Sequence, residues 1–286
     1  MKEEHIPVLL TDVIEALHIA PGKKYIDATV GLGGHTREIV AHGGIVLGID
    51  RDGETIGKLR VKSEELRVEN LTLVQGSFAR IKTFAEEKGF TQVSGILMDL
   101  GYSSWQLDQS GRGFSFAKDE PLDMRYDLKT QEITAADVVN SMSPDELLET
   151  ISTLGEEERA QKIVYAITRA RPIQTTAQLV KALEKAVPYE RERHLARIFQ
   201  ALRIAVNNEL GAIKKALPEA VSLLKPGGRL AVISFHSLED RIIKQFYKDN
   251  EKTLKTITKK PITATWEETK RNSRARSAKL RVAEKL

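Results

Sequence analysis

Two short stretches of this 286-residue chain gather residue types that can hold a small ligand. The first is DATVGLGGHT, residues 27–36. Gly31, Gly33 and Gly34 let the backbone approach a ligand closely, and the next helix points its N-terminal amides at the same place. Asp50 closes the following apolar run, and a carboxylate at a strand end accepts hydrogen bonds from both hydroxyls of a ribose. Turn and carboxylate together describe an adenosine-type cofactor site. The dinucleotide pattern wants a third small residue where Thr36 stands. That departure leaves S-adenosylmethionine, which has no pyrophosphate to cradle; the alternative is a tight turn with no ligand. The second stretch is DLGYSSWQLD, residues 99–108. Asp99 ends an apolar run, and serines, rings and an amide then crowd a place where a strand would simply turn back.

The elements that must position these residues alternate regularly. Runs at 24–30, 44–50, 70–76 and 93–100 read as strands, with helical stretches from about His35, from Asp52 to Arg67 and from Phe78 to Lys88 between them. Strand–helix alternation means an α/β fold, a parallel sheet with helices on both faces. Ligands of such sheets bind outside the carboxyl ends of the strands. Asp27, Asp50 and Asp99 fall at or near those ends, and Phe78 follows the third strand, where a ring can pack near an adenine. Asp27 is also readable as a carboxylate that only tethers the loop.

From about Gln106 to about Arg193 no convincing strand appears. Helix starts do: SPDE makes Ser143 an N-cap with Pro144 and Glu146 behind it, and TTAQ gives Thr175 and Gln178 the same roles. Ile163, Val164 and Ile167 share one helical face. The reading is a helical insertion at 106–194, between 1–105 and 195–286. The sheet pattern resumes with a long helix from about Leu195, interrupted at Pro218. A buried strand within 224–235 and a helix capped by Ser237 follow. LKTITKKPITA and AKLRVAEKL form a closing antiparallel pair.

Composition narrows the chemistry. Hydrophobic residues at 41% and charged residues at 29% suit a globular protein. The absence of cysteine excludes disulfides, thiolate catalysis and Cys-ligated zinc. The six histidines are scattered, with none paired at i, i+4, which argues against a metal site. No run reaches membrane-helix length, and the N-terminus lacks the pattern of an export signal, so a cytoplasmic protein is expected. The net charge is +4, yet from Lys255 onward ten Lys or Arg face three Glu. Such a tail suits either a polyanion or plain solvation.

VGLGGHT, DLGYSSWQLD, RGFSFAKDEPLDMRYD, IFQALRIAVNNEL, SFHSLEDR and NSRARSAKLRVAEK occur in this order. The set closely resembles the bacterial ribosomal RNA small subunit methyltransferase H (MraW-type) family. Its members methylate N4 of one cytosine in the decoding region of 16S ribosomal RNA. The resemblance covers nearly the whole chain. It implies a Rossmann-like class I methyltransferase sheet with an inserted all-helical domain, S-adenosyl-L-methionine as cofactor, and 16S ribosomal RNA, within the small ribosomal subunit, as partner. The family's cofactor contacts carry over onto Gly33, Gly34, His35, Asp50, Phe78, Asp99 and Gln106. Tyr102 and Trp105 depart from the usual valine and proline, and both flank the expected target site.

With that resemblance in hand, the loop after the fourth strand acquires a task. Cytosine's N4 shares its lone pair with the ring, so it must be oriented and must lose a proton as it attacks. A loop there can supply acceptors to the amine and an aromatic face to the base. Ser103 and Ser104, through hydroxyl or carbonyl, are candidates for touching N4, against a turn with capping serines; Asp99 is better placed to hold the cofactor's ammonium. His236 in SFHSLEDR either receives a proton or orients a loop, Glu239 and Asp240 suit a helix N-terminus, and Arg241 pairs with a carboxylate or a phosphate. Arg112, Phe114 and Phe116 of RGFSF suit single-stranded RNA or a core. Phe199, Leu202 and Val206 read as core, with Arg203 and Asn207 as polar outliers. Lys270, Arg271, Arg274 and Arg276 are the candidate phosphate contacts. Two rivals remain: an amino-methyltransferase of DNA or another RNA, and a non-catalytic nucleic-acid-binding regulator.

Overall fold

In KYID, IVLGID and VSGILMD apolar residues stand side by side instead of alternating with polar ones. A strand tolerates that only when both its faces are covered. The computed structural model describes residues 7–286, except for the side chain of Ser104, and covers both faces. After α1 (Leu10–Leu17), four strands alternate with three helices: β1 (Lys24–Asp27), α2 (Gly34–Ala41), β2 (Ile45–Asp50), α3 (Gly53–Glu65), β3 (Leu71–Gln75), α4 (Ile81–Glu87) and β4 (Val93–Asp99). Residues 78–80 form a 3₁₀ turn ahead of α4.

A run of helices follows: α5 (Ser104–Asp108), α6 (Ala135–Ser141), α7 (Pro144–Leu154), α8 (Ala160–Ala170), α9 (Thr176–Leu183) and α10 (Arg191–Asn207). The chain then returns through α11 (Glu209–Leu223), β5 (Leu224–Ser234), α12 (Ser237–Asp249), β6 (Leu254–Thr256), α13 (Trp266–Arg271) and β7 (Lys279–Lys285). The sheet runs β3-β2-β1-β4-β5-β7-β6. β1 to β5 are parallel, and β7 is antiparallel to both β5 and β6, the closing pair the sequence predicts.

Adjacent residues of each central strand serve opposite faces. Tyr25, Val46, Leu97 and Ile233 pack with Val13 and Leu17 of α1 and Ile39 of α2. Ile26, Leu47, Ile96, Met98 and Val232 pack with Phe84 of α4, Leu217 of α11 and Ile243 and Tyr247 of α12. Each fully buried side chain of this kind is worth about 1.5–3 kcal/mol relative to exposure.

The chain divides into two compact units, one running up to Gly101 and resuming at Leu210, the other Tyr102–Glu209. Sequence reading sets these limits at 106 and 194. The second unit extends further because Leu195, Ile198, Phe199 and Leu202 of α10 belong to its core, with Leu147, Ile151, Ile163, Ile167, Leu179 and Leu183. Capping boxes start α7 at Ser143 and α9 at Thr175, as the spacing predicts. Among the described residues of this unit the extended pairing is a single bridge, Pro121 with Thr175.

Two helix ends differ from expectation. The long helix breaks at Asn208, not at Pro218. Asn208 sits in the left-handed region (φ 48°, ψ 46°), which asparagine enters more readily than most residues. Pro218 lies inside α11 on its exposed side. The carbonyl it leaves without a donor belongs to Lys214, also exposed, and can turn to water. α12 is capped at His236 rather than Ser237, with no side-chain cap bond; instead Glu239 Oε2 reaches back and accepts from the Phe235 amide at 2.8 Å. Among the described residues no helix is long and apolar enough to cross a membrane.

Candidate active site

The turn after β1 is held from below by Asp27. Its carboxylate is 1% exposed, accepts from the Thr29 amide at 3.2 Å and from the Thr36 hydroxyl at 2.7 Å. Thr36 thus has a physical reason for interrupting the dinucleotide pattern: its hydroxyl ties the first turn of α2 to the end of β1. Thr29 reaches the other way, its Oγ1 accepting from the Asp99 amide at 2.7 Å. The ends of β1 and β4 are locked together beneath the turn.

The three glycines of the turn differ in purpose. A side chain at Gly33 (φ 79°) would meet Leu59 at 2.7 Å, and one at Gly34 would meet Pro7. Close packing of the chain on itself requires those two. At Gly31 (φ 50°) the nearest atom to an added Cβ is 3.9 Å away, so this position opens outward. Its amide donates to Asp50 Oδ2 at 2.9 Å, and the Asp52 amide donates to Oδ1 at 2.8 Å. Each oxygen of Asp50 keeps further accepting capacity, because a carboxylate oxygen takes more than one donor. Burial pushes Asp50 up to about 6; the amides of Asp52 and Gly31 pull it down, and the charges of Asp52 and Asp27 add to the rise.

Asp99 ends β4 with its side chain 24% exposed, yet its Oδ1 is buried and meets no hydrogen-bond donor. Burial raises this carboxyl well above the ordinary value, and nearby Asp27 and Glu239 raise it further. His35, 5% exposed, donates from Nε2 to the Val8 carbonyl at 3.0 Å, the carbonyl being only an acceptor. Its Nδ1 stands 3.8 Å from Asp99 Oδ2. Phe78 is half-buried against the core at the start of the turn after β3. An uncompensated carboxylate at the end of β4, a hydroxyl-accepting carboxylate at the end of β2 and an open glycine between them fit a cationic adenosine-type cofactor.

The DLGYSSWQLD stretch becomes the short helix α5. Ser103 is its N-cap: Oγ accepts from the Gln106 amide at 3.3 Å, and the Gln106 side-chain oxygen accepts from the Ser103 amide at 2.8 Å. Both residues therefore shape the loop, and Gln106 is 5% exposed. The side chain of Ser104 lies outside the described residues. His236 is nearly enclosed, its side chain 9% exposed, with Nε2 3.3 Å from Glu239 Oε1.

Of the two readings of RGFSF, RNA face or core, the structure favours core, with Phe116 only half-buried against it. Arg112 is 5% exposed and donates to the carbonyls of Arg125 and Tyr126 at 3.4 and 3.3 Å. Phe114 is stacked between Tyr102 and Tyr126, with centroids 6.1 and 5.6 Å apart. Phe116 meets Phe199 edge-on. None of the three offers an open basic and aromatic face. Arg203 and Asn207, the outliers on α10, are buried too. Arg203 forms a two-point ion pair with Glu209 at 2.8 and 3.0 Å and lies 4.6 Å from the Tyr102 ring centre. Asn207 bonds the Tyr126 amide and the Met124 carbonyl.

On the basic segment Lys270, Arg271 and Arg276 are exposed and Arg274 is half-buried. Lys279 and Arg281 are bound to Asp240 of α12, at 3.6 and 2.6 Å. Leu280 and Val282 point to the opposite side of β7. Arg281 sets Asp240 below its ordinary value against the upward pull of burial.

A sheet ordered β3-β2-β1-β4-β5-β7-β6, with one reversed strand and carboxylates at the ends of β1, β2 and β4, defines a Rossmann-like methyltransferase. The chain matches the MraW methylase family over residues 2–286, and it belongs to that family. Relatives named ribosomal RNA small subunit methyltransferase H include one from Deinococcus radiodurans, 46% identical over 98% of this chain and 89% of its own. Another, from Clostridium botulinum, is 42% identical over the full length of both. The fold is similar to that of an rRNA methylase from Streptococcus thermophilus, with a TM-score of 0.50 over 99% of each chain at 11% identity.

Proposed function

We propose that this chain methylates N4 of a cytosine in the decoding region of 16S ribosomal RNA, using S-adenosylmethionine. The observation that carries the reading is Asp99: a carboxylate at the end of β4 with one oxygen buried and unpartnered, beside a turn that opens at Gly31. Such an oxygen is costly unless a donor arrives. The cofactor's ammonium is a donor of the right charge.

Asp50 accepts from the ribose hydroxyls. Gly33 and Gly34 contribute backbone, Phe78 packs near the adenine, and Gln106 and His35 border the cofactor. S-adenosylmethionine supplies an electrophilic methyl on a sulfonium. Ser103 and Ser104 orient the amine, through hydroxyl or carbonyl, and His236 receives the proton that N4 sheds. Residues 102–209 act as an inserted helical domain, and Lys270, Arg271 and Arg276 bind RNA phosphates. The substrate is the RNA within the small ribosomal subunit, which places the protein in the cytoplasm.

The test is incubation of the protein with labelled S-adenosylmethionine and small ribosomal subunits lacking the mark, followed by nucleoside analysis. Labelled N4-methylcytidine from the decoding region is expected. Label on another base, or on none, refutes the reading.

A further inference from the structure

Between Lys270 and Arg281 the sequence places six cations and no acid. The structure sorts them. Lys279 and Arg281 are both paired with the single carboxylate of Asp240. Arg274 is half-buried and has partners of its own. Lys270, Arg271 and Arg276 stand exposed, and beside them is the one exposed tryptophan among the described residues. Trp266, in α13, keeps 65% of its surface open. Lys270 Nζ lies 3.7 Å from the centre of its ring, within the range of a cation–π contact.

This segment is fixed at several points. Thr265 caps α13 by accepting from the Glu268 amide at 3.2 Å. Glu268 Oε1 accepts from the Leu9 amide at 2.7 Å. Ala275 and Ala278 are buried in the core on one face of the sheet. The exposed side chains are therefore presented from a pinned backbone. Glu267 is also exposed, but Glu268 is engaged, so the face from Trp266 to Arg276 stays net positive.

A lone exposed aromatic is ordinary. An indole 65% exposed with an ammonium 3.7 Å from its ring centre, in the same short segment as two more exposed cations, Arg271 and Arg276, is a different object. We propose that α13 carries a stacking platform for an unpaired base of the RNA substrate. Trp266 supplies the flat face, and Lys270, Arg271 and Arg276 supply the phosphate contacts. The proposal rests on the RNA-methylating reading above. Lys270 covers one face of the indole and steadies the ring, leaving the other face to the base. The lysine also brings charge to the phosphate of the stacked nucleotide. A duplex keeps its base faces against one another, so the platform selects single-stranded RNA.

The experiment measures binding of the full-length protein to a 16S ribosomal RNA transcript, a short oligouridylate and a duplex RNA over a range of salt. Trp266→Ala should weaken oligouridylate binding about 5- to 150-fold. It should leave the salt slope unchanged, because stacking releases no counterions. Trp266→Phe keeps a ring and should lie between, and it carries the test if the alanine variant melts early. Lys270→Gln, Arg271→Gln and Arg276→Gln together should flatten the slope by about two. Duplex binding should ignore Trp266. Oligouridylate affinity of both Trp266 variants within about twofold of the parent, or a flattened slope in Trp266→Ala, overturns the platform. If the parent methylates ribosomal RNA while the Trp266 variants bind as it does, only the platform falls. If the parent methylates no RNA, the functional reading falls instead.

Discussion

Replacing Asp27 by asparagine exchanges one oxygen for an NH₂ group beneath the glycine turn. The carboxyl has been pushed from its ordinary 3.8 up to about 6, chiefly by burial, with the Thr36 and Thr29 hydrogen bonds pulling the other way. An acid whose pKa is higher folded than unfolded binds its proton more tightly when folded. Its stabilisation is full below about pH 4 and is lost as pH rises through about 6. The rise corresponds to about 3 kcal/mol, the penalty the folded protein carries at pH 8 for keeping Asp27 ionised. Asparagine is neutral at every pH. Its oxygen can still accept from the Thr29 amide, and its NH₂ can donate to Thr36 Oγ. Asp27→Asn should therefore be more stable than the parent by up to about 3 kcal/mol at pH 8 and nearly equal to it at pH 4. Urea unfolding at the two pH values reads this directly. The same substitution should weaken binding of S-adenosylmethionine, positive at sulfur, more than binding of S-adenosylhomocysteine, which lacks that charge. If the gain at pH 8 is absent, or equals the difference at pH 4, the charge is compensated in the folded protein and the argument from burial is wrong.

Asp50→Ala should lower cofactor affinity by about 1–3 kcal/mol by calorimetry, since the carboxylate also holds the Gly31 amide; unchanged affinity removes Asp50 from the site. Replacing Ser103 and Ser104 together by alanine should reduce methyl transfer more than cofactor affinity, and normal turnover with both substrates saturating would show that their side chains are not needed. Arg203→Met leaves the 7%-exposed Glu209 without its ion partner and should cost about 3–5 kcal/mol in urea unfolding, much of it recovered when Glu209→Met is added.

The parallel half of the fold is legible because its strands are covered on both faces. Continuous apolar runs ending in Asp27, Asp50 and Asp99 mark strand and site together. Ser143 and Thr175 are equally plain, since a capping box is a local device that needs no partner elsewhere in the chain. What sequence reading misses depends on distant partners. RGFSF suits a nucleic-acid surface and a core equally well until Tyr102, Tyr126 and Phe199 are seen to pack against its rings. The break at Asn208 has no composition signal as loud as Pro218; the paired asparagines at 207 and 208 are its one local sign. The sequence sets Lys279 and Arg281 on the closing strand, apart from Lys270 and Arg271, but it does not show that Asp240 pairs with them. Trp266 carries no signal in the sequence, because one exposed ring acquires meaning only from the ammonium placed over it.

The sheet is assembled from chain segments separated by a whole helical unit: Ile96 of β4 pairs with Leu230 of β5, and β5 in turn with β7. During synthesis, residues 102–209 emerge as one continuous stretch and can reach their own core before β5 exists. β1 to β4 meanwhile wait with one flank of β4 unpaired, a row of free amides and carbonyls beside Ile96, Leu97 and Met98 that invites pairing with another nascent chain. Chains halted just after residue 209 should therefore hold a protease-resistant helical unit joined to a sheet still open to aggregation. Restarting synthesis through β5 closes that edge, and β7 then covers the flank of β5, so the last strands act as the latch on a half-built enzyme.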